Sequence, residues 1–261
     1  MANPTLSNHK VEHVQSGIKY GERKFPEYDV QEGDQVKVYI WELPVRIFHW
    51  VNAISIFVLM VTGIYIGKPF ISAIIHEEAY YSWFMGWTRY IHFFFAFIFI
   101  ANLLFRLYWV FRGNRFATVK PFQLAFWKEM FQTMKYYAFM KHKKPHFVGH
   151  NPLAQLFYLI FIGIGSIVMI LTGIYMYIEP QHESWFGQLF QWVPWILGGD
   201  SYTVRSLHHI VAWGFMLFVV VHVYMAFRED WLERNGTMSS MITGYKFESK
   251  QMVEDENDEK K

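Results

Sequence analysis

Three histidines lie in one long apolar stretch of this chain, residues 206–230, and their spacing points to metal chemistry. His208 and His222 are 14 residues apart (222 − 208), which on an α-helix is about 40° short of four turns and about 21 Å along the axis. They therefore share one helix face, whereas His209 is rotated by about 140° from His222. Ionisable side chains inside a membrane span are a functional hypothesis by default. One such helix would offer two imidazoles on one stripe, which suits two stacked metal groups.

Composition places this stretch in a membrane protein. Of the 261 residues, 53% are hydrophobic and 20% aromatic, which is more than a typical soluble domain carries. Four apolar stretches reach the ~20 residues that a hydrocarbon core requires, and they cover residues 46–67, 88–111, 153–178 and 205–228. The predicted fold class is an all-α integral membrane protein, a bundle of four transmembrane helices with interfacial helices. Residues 1–40 and 231–261 are predicted to be a polar N-terminal extension and a polar C-terminal tail.

The distribution of basic residues predicts the orientation of the chain. Residues 112–152 carry eight lysines and arginines, whereas residues 179–204 carry none. The positive-inside rule then places that basic connection and both termini in the cytoplasm. Within it, residues 121–140 mix aromatic residues with lysine, as an interfacial helix does. We see no cleavable signal segment among the first 38 residues, which are polar.

This topology sorts four histidines into two pairs by depth. His92 and His208 fall near the outer surface, and His49 and His222 near the inner surface. Each pair can supply two axial nitrogens to one b-type haem. The chain has no cysteine, which excludes thiolate ligands and covalent c-type attachment. Zinc is the rival metal but needs three or four ligands at one level. His209 is the rival outer ligand, and a single histidine near a helix end is often only interfacial.

Arginines and glycines accompany both predicted levels. Guanidinium groups form strong forked pairs with carboxylates such as haem propionates, although long basic side chains also reach the lipid headgroups by themselves. The candidates are Arg89 and Arg205 outside and Arg46 and Arg106 inside. A sequence echo, VTGIY at 61–65 and LTGIY at 171–175, places Gly63 and Gly173 near the outer surface. Glycine there permits close helix packing or contact with a flat macrocycle.

A polar segment opens the third stretch on the inner side. His150, Asn151 and Gln155 could donate hydrogen bonds to a quinone carbonyl beside the inner pair. The dipeptide Asn151–Pro152 is equally a common helix start. Both interpretations stay open at this point.

The chain resembles the cytochrome b subunit of respiratory membrane-bound nickel-iron uptake hydrogenases. The resemblance covers roughly residues 41–246. It rests on ELPVRIFHW (42–50), VTGIYIGKP (61–69), RYIHF (89–93), GHNPLAQ (149–155), LHHIVAW (207–213), HVYMAFRED (222–230) and SSMITGY (239–245). The long polar N-terminus and the acidic C-terminus depart from the family pattern.

The resemblance implies a four-helix anchor in the bacterial inner membrane that binds two haem b groups through His49, His92, His208 and His222. It also implies a periplasmic hydrogenase as partner, whose iron-sulfur small subunit and nickel-iron large subunit feed electrons to the outer haem. A menaquinone or ubiquinone would accept them near the inner haem, so the chain would be the non-hydrogenase subunit of a hydrogen:quinone oxidoreductase. One alternative is the cytochrome b subunit of a formate dehydrogenase or thiosulfate reductase. An alternative of another class is a non-haem proton channel or transporter with His92 and His222 in a proton relay.

Overall fold

The computed structural model describes residues 28–30, 35–70, 83–113, 124–140 and 152–249. Four helices in these ranges are long and apolar enough to cross a membrane, so the prediction of four spans is confirmed. We call them spans 1 to 4; they cover Leu43–Gly67, Phe84–Arg112, Pro152–Gln181 and Ser201–Glu233. Each is longer than the predicted apolar stretch, because the helix continues by a few residues beyond it. Span 4, for example, begins where the Asp200 carboxylate accepts a hydrogen bond from the Thr203 N–H.

Span 3 is not one regular α-helix. It starts as a short α-helix at Pro152–Tyr158, widens into a π-helix at Leu159–Gly165, and returns to α-helix at Ser166–Ile178 before a 3₁₀ turn at Glu179–Gln181. A π-helix is rare and often occurs at functional sites, since its wider turn inserts an extra residue. This irregularity was not predicted from the sequence.

The four spans pack as two pairs that meet in the middle. Span 1 packs mainly against span 2, and span 3 against span 4. A cluster of buried apolar residues joins the pairs, and its centre is Ile56, Phe99 and Phe215. Many other large apolar side chains on the spans are exposed, for example Phe57 and Val220. This is the expected pattern for helices whose outer faces contact lipid.

At the end of the bundle that is predicted to be the inner one, the spans carry a small mixed cap. Strands β1 (Tyr28–Val30), β2 (Gln35–Tyr39) and β3 (Tyr245–Ser249) form an antiparallel sheet in which Tyr39 pairs with Tyr245. Val36, Val38 and Ile40 are buried in the core of this cap. The N-terminal extension and the C-terminal tail, which were predicted as separate polar regions, therefore contribute strands to one sheet. The alternating apolar residues of β2 need a partner strand to complete their burial.

Shorter helices complete the inner and outer surfaces. The helix predicted within residues 121–140 is present at Leu124–Tyr137, and the Tyr137 hydroxyl donates a 2.9 Å hydrogen bond to Glu229 at the end of span 4. On the outer side, helices at Trp185–Leu189 and Trp192–Ile196 connect spans 3 and 4. A last helix, Thr237–Thr243, lies against the inner end of span 1.

Candidate functional site: two levels of paired histidines

The two histidines of the inner pair lie close together. The imidazole rings of His49 in span 1 and His222 in span 4 have their centres 6.2 Å apart. A metal–imidazole bond measures about 2.0 Å and the ring centre lies about 1.2 Å beyond the bonding nitrogen, so two rings that ligate one ion from opposite sides have centres about 6.4 Å apart. The observed separation therefore fits two axial ligands of a single metal.

The outer pair comes from spans 2 and 4, and each ring is held by a threonine of the neighbouring helix. The Thr62 hydroxyl of span 1 lies 2.8 Å from Nδ1 of His92. The Thr172 hydroxyl of span 3 lies 2.8 Å from Nδ1 of His208. His92 is also among the ionisable neighbours of His208. The histidines thus occupy the two levels that spacing and topology predicted, and their role as ligands stays a prediction.

Glycines make room for the outer imidazoles. A β-carbon added to Gly63 would lie 3.4 Å from Cε1 of His92, and one added to Gly173 would lie 3.5 Å from Cε1 of His208. Gly67, one turn after Gly63, faces His209 in the same way at 3.4 Å. The two glycines predicted to contact a cofactor therefore border the predicted outer ligands. His209 points towards span 1 instead of sharing the face of His208.

The inner level has a different set of neighbours. The Tyr158 hydroxyl lies 3.3 Å from Nδ1 of His222, and the Phe218 ring stacks on the His222 ring with centres 5.6 Å apart. Tyr158 is the last residue before the π-helix of span 3. Nδ1 of His49 is buried and makes no hydrogen bond within the described part of the chain. The two levels therefore differ in how the rings of the candidate ligands are held.

An apolar layer separates the two levels. Its three central residues stand seven residues from a candidate ligand: Ile56 from His49 (56 − 49), Phe99 from His92 (99 − 92) and Phe215 from both His208 and His222. Seven residues are about two helical turns, so these side chains meet midway between the histidine pairs. The space between the levels is therefore lined mainly by apolar side chains.

The four predicted arginines have protein contacts at both ends of the bundle. Arg205 forms an ion pair with Glu179, and Arg46 donates to the carbonyl of Ile242. Arg106 lies 5.5 Å from the centre of the Phe48 ring, and Arg89 lies 5.9 Å from the centre of the Phe93 ring. Their contacts with propionates stay a prediction. For Arg205 such a contact would have to compete with the Glu179 carboxylate.

The remaining predicted residues concern the quinone and the rival metal. Gln155 lies in the first helix of span 3, whereas His150 and Asn151 fall outside the described residues. Gln155 precedes Tyr158 by three residues, which places the two on one helix face. Within the described ranges, no group of three or more His, Asp or Glu side chains is assembled that could hold a metal ion. The zinc alternative thus gains no support in that part of the chain.

The sequence did not predict three neighbours of the candidate ligands, namely Thr62, Thr172 and Tyr158. A signal for the threonines was present, because each directly precedes a glycine of the repeated VTGIY and LTGIY motifs. Hydroxyls in helices usually bond their own backbone, so the motif alone does not predict a contact with a histidine of another helix. Tyr158 carried no comparable signal.

Four apolar spans with two levels of paired histidines define a membrane cytochrome of the b type, in which histidine nitrogens ligate non-covalent haem. The chain belongs to the prokaryotic cytochrome b561 family, which it matches over residues 40–244. It is therefore a multi-pass membrane protein of a class that binds haem b.

Curated relatives narrow the comparison. The chain is 41% identical over 223 residues to a probable Ni/Fe-hydrogenase B-type cytochrome subunit of Cupriavidus necator, and the alignment covers 83% of this chain and 90% of the relative. It is 41% identical over 214 residues to a protein of the same description from Bradyrhizobium diazoefficiens, covering 79% and 85%. The probable Ni/Fe-hydrogenase 1 B-type cytochrome subunit of Escherichia coli K12 is 36% identical over 227 residues, covering 83% and 94%.

Proposed function

We propose that this chain is the electron-transferring membrane subunit of a nickel-iron hydrogenase complex in the bacterial cytoplasmic membrane, with both termini in the cytoplasm. Two haem b groups would be bound, one by His92 and His208 and one by His49 and His222. Electrons would enter at the outer level and leave to a menaquinone or ubiquinone at the inner level. The observation that carries the proposal is the 6.2 Å separation of the His49 and His222 rings.

The residues around both levels fit haem b. Haem b supplies reversible one-electron chemistry when bound. The histidines supply axial nitrogens, and Gly63 and Gly173 leave the rings of His92 and His208 free of side-chain crowding. The layer around Phe215 places apolar side chains between the levels. Arg46, Arg89, Arg106 and Arg205 stand at the depths where propionates would need countercharges.

The partner is proposed from the relatives and from the expected orientation. The relatives are described as hydrogenase cytochrome subunits. A hydrogenase on the outer side would face the level of His92 and His208, which lies away from the basic connection. Its iron-sulfur small subunit would then be the electron donor, next to the nickel-iron large subunit.

Quinone reduction is proposed at the inner level. Gln155 shares a helix face with Tyr158, which contacts His222. His150 and Asn151 come directly before this helix in the sequence. Amide and imidazole N–H groups are suitable donors to a quinone carbonyl.

Haem counting in the full complex tests the proposal. The complex purified in mild detergent is expected to hold two low-spin haems per chain by pyridine haemochrome assay and electron paramagnetic resonance. His49→Gly, His92→Gly, His208→Gly and His222→Gly are each expected to lower the count by one, and added imidazole should restore the lost low-spin signal. His209→Gly is the matched control and should keep both haems.

Other outcomes separate the alternatives. A haem-free wild-type chain would overturn the proposal in favour of the channel or transporter. Two haems with a copurifying formate dehydrogenase or thiosulfate reductase instead of a nickel-containing enzyme would overturn the assigned partner. Retention of both haems in His49→Gly and His222→Gly would refute the inner pairing.

A further inference from the structure

The outer level is built twice from the same short motif. In span 1, Thr62–Gly63 lies beside His92 of span 2, and in span 3, Thr172–Gly173 lies beside His208 of span 4. The oxygen to Nδ1 distance is 2.8 Å in both cases. Two different pairs of helices thus reach the same geometry.

The direction of the hydrogen bond follows from how each hydroxyl proton is used. The Thr62 hydroxyl lies 2.7 Å from the carbonyl of Val58, and the Thr172 hydroxyl lies 2.7 Å from the carbonyl of Val168. A hydroxyl has a single proton, and a carbonyl oxygen can only accept. Each threonine therefore donates to its own helix and must accept from Nδ1–H of the histidine. This fixes the tautomer that leaves the lone pair of the ligand on Nε2.

The neighbouring glycine serves the same arrangement. A β-carbon at Gly63 or Gly173 would lie 3.4 or 3.5 Å from the histidine ring, which is an ordinary van der Waals distance, so an alanine there would fill the remaining space beside the ring. Longer side chains would displace the rings from the hydroxyls. The threonine orients the imidazole and the glycine admits it.

The inner level lacks this arrangement. His222 has the longer 3.3 Å contact with the Tyr158 hydroxyl, and the buried Nδ1 of His49 has no hydrogen-bond partner among the described residues. An acceptor on Nδ1–H makes the opposite nitrogen a stronger donor to the metal, and this favours the oxidised state of the iron. The two levels are therefore expected to differ in reduction potential.

We infer that Thr62 and Thr172 are positioning residues that fix both outer ligands in the Nδ1–H tautomer and hold the outer haem at a lower reduction potential than the inner haem. The inference rests on the proposed function, since it needs one haem at each level. The lower potential of the outer haem would make electron transfer from the outer to the inner level thermodynamically favourable, and two hydroxyl groups would be the cause.

The test compares Val and Ser substitutions at the two threonines in the purified complex. Thr62→Val and Thr172→Val keep the side-chain shape but remove the acceptor. Each is expected to shift the outer haem to a more positive potential in a redox titration, to alter its low-spin resonance signal and to weaken its retention about 10-fold against apo-myoglobin. The double variant should shift further. Thr62→Ser and Thr172→Ser should stay near the wild type.

Two controls locate the effect. Thr133→Val removes a buried hydroxyl that also bonds its own helix, to the Glu129 carbonyl at 2.9 Å, and that has no histidine contact among the described residues; it should leave both potentials unchanged. The outer haem is identified as the one missing in His92→Gly. Tyr158→Phe should affect the inner haem alone.

The outcomes are distinguishable from failure of the proposed function. If the wild type lacks two bis-histidine haems, the proposed function is wrong. If both haems are bound but the Val variants leave the outer potential and signal unchanged, the inference is wrong. Loss of the outer haem in the Val variants but not in the Ser variants supports it, whereas equal loss in both would assign the threonines a packing role and overturn it.

Discussion

Phe215→Ala tests whether the apolar layer between the two levels stabilises the bundle. Phe215 is 4% exposed, and its ring meets the backbone of span 3 so closely that a β-carbon on Gly165 would lie 3.2 Å from it. Lipid is as apolar as the bundle interior, so the transfer contribution that operates in soluble proteins is largely absent. The loss of about 100 Å³ of packed volume remains, and at about 24 cal/mol per Å³ it amounts to about 2.4 kcal/mol.

The assay is equilibrium unfolding of the haem-loaded chain in mixed micelles of increasing SDS content. A loss of about 2.4 kcal/mol is a change of about 50-fold in the folding equilibrium, which moves the unfolding midpoint clearly to lower SDS. Phe227→Ala is the matched control, since it removes the same volume from the same span at a side chain that is 59% exposed. Equal midpoints for the two variants would refute the reasoning that Phe215 joins the two pairs of spans.

Two further predictions concern the inner cap. Gly244→Ala should destabilise the cap by at least about 1–2 kcal/mol through its positive φ of 89°, and the clash of the new β-carbon, 2.5 Å from the Tyr39 ring, should add to this cost and expose the cap to limited proteolysis. Gly198→Ala is the matched control: it carries a similar backbone strain at φ 109° but meets open space outside the cap, so the cap should stay resistant to the protease. Lys246→Met should lower the free energy of unfolding, measured by chemical denaturation, by about 3–5 kcal/mol, because it leaves the Glu248 carboxylate buried without its cation; that side chain is 2% exposed and lies 2.7 Å from the ammonium. The double variant Lys246→Met/Glu248→Leu should recover most of this loss. Equal losses in the single and double variants would contradict the pairing.

Helical periodicity was sufficient to predict the parts of the site that lie on one helix. The shared face of His208 and His222 follows from 3.6 residues per turn, and the depth of His49 and His92 follows from the length and order of apolar stretches. These inferences need only local geometry. The contact between His49 and His222 is consistent with them.

Features that depend on contacts between distant segments could not be predicted in this way. Pairing of Val38 with Lys246 joins strands 208 residues apart (246 − 38), and a five-residue alternating pattern does not name its partner strand. The π-helix has no distinctive composition, and the Thr62 contact with His92 depends on how two helices face each other. Packing between elements, which the sequence encodes only indirectly, decides such features.

The bundle carries an internal repeat at the outer level. His92 and His208 are equivalent in it, and three residues earlier each helix has an arginine, Arg89 and Arg205. Seven residues later each has a buried phenylalanine, Phe99 and Phe215. Spans 1 and 3 contribute the equivalent Thr–Gly motifs. The outer level is thus made of two like halves.

The two halves of the repeat differ at the inner level, and the π-helix explains why their residue spacing differs by one. His49 precedes Thr62 by 13 residues (62 − 49), whereas Tyr158 precedes Thr172 by 14 (172 − 158). The π-helix between the latter two adds the one extra residue, so Tyr158 stands in span 3 where His49 stands in span 1. The Tyr158 hydroxyl can contact His222, but a phenol cannot supply a second imidazole as His49 does. The inner level therefore has one candidate ligand from each half and a phenol where the repeat would place a third. This phenol is a polar group beyond those proposed to hold a haem, which favours the inner level as the place for the proposed quinone reduction and its protons.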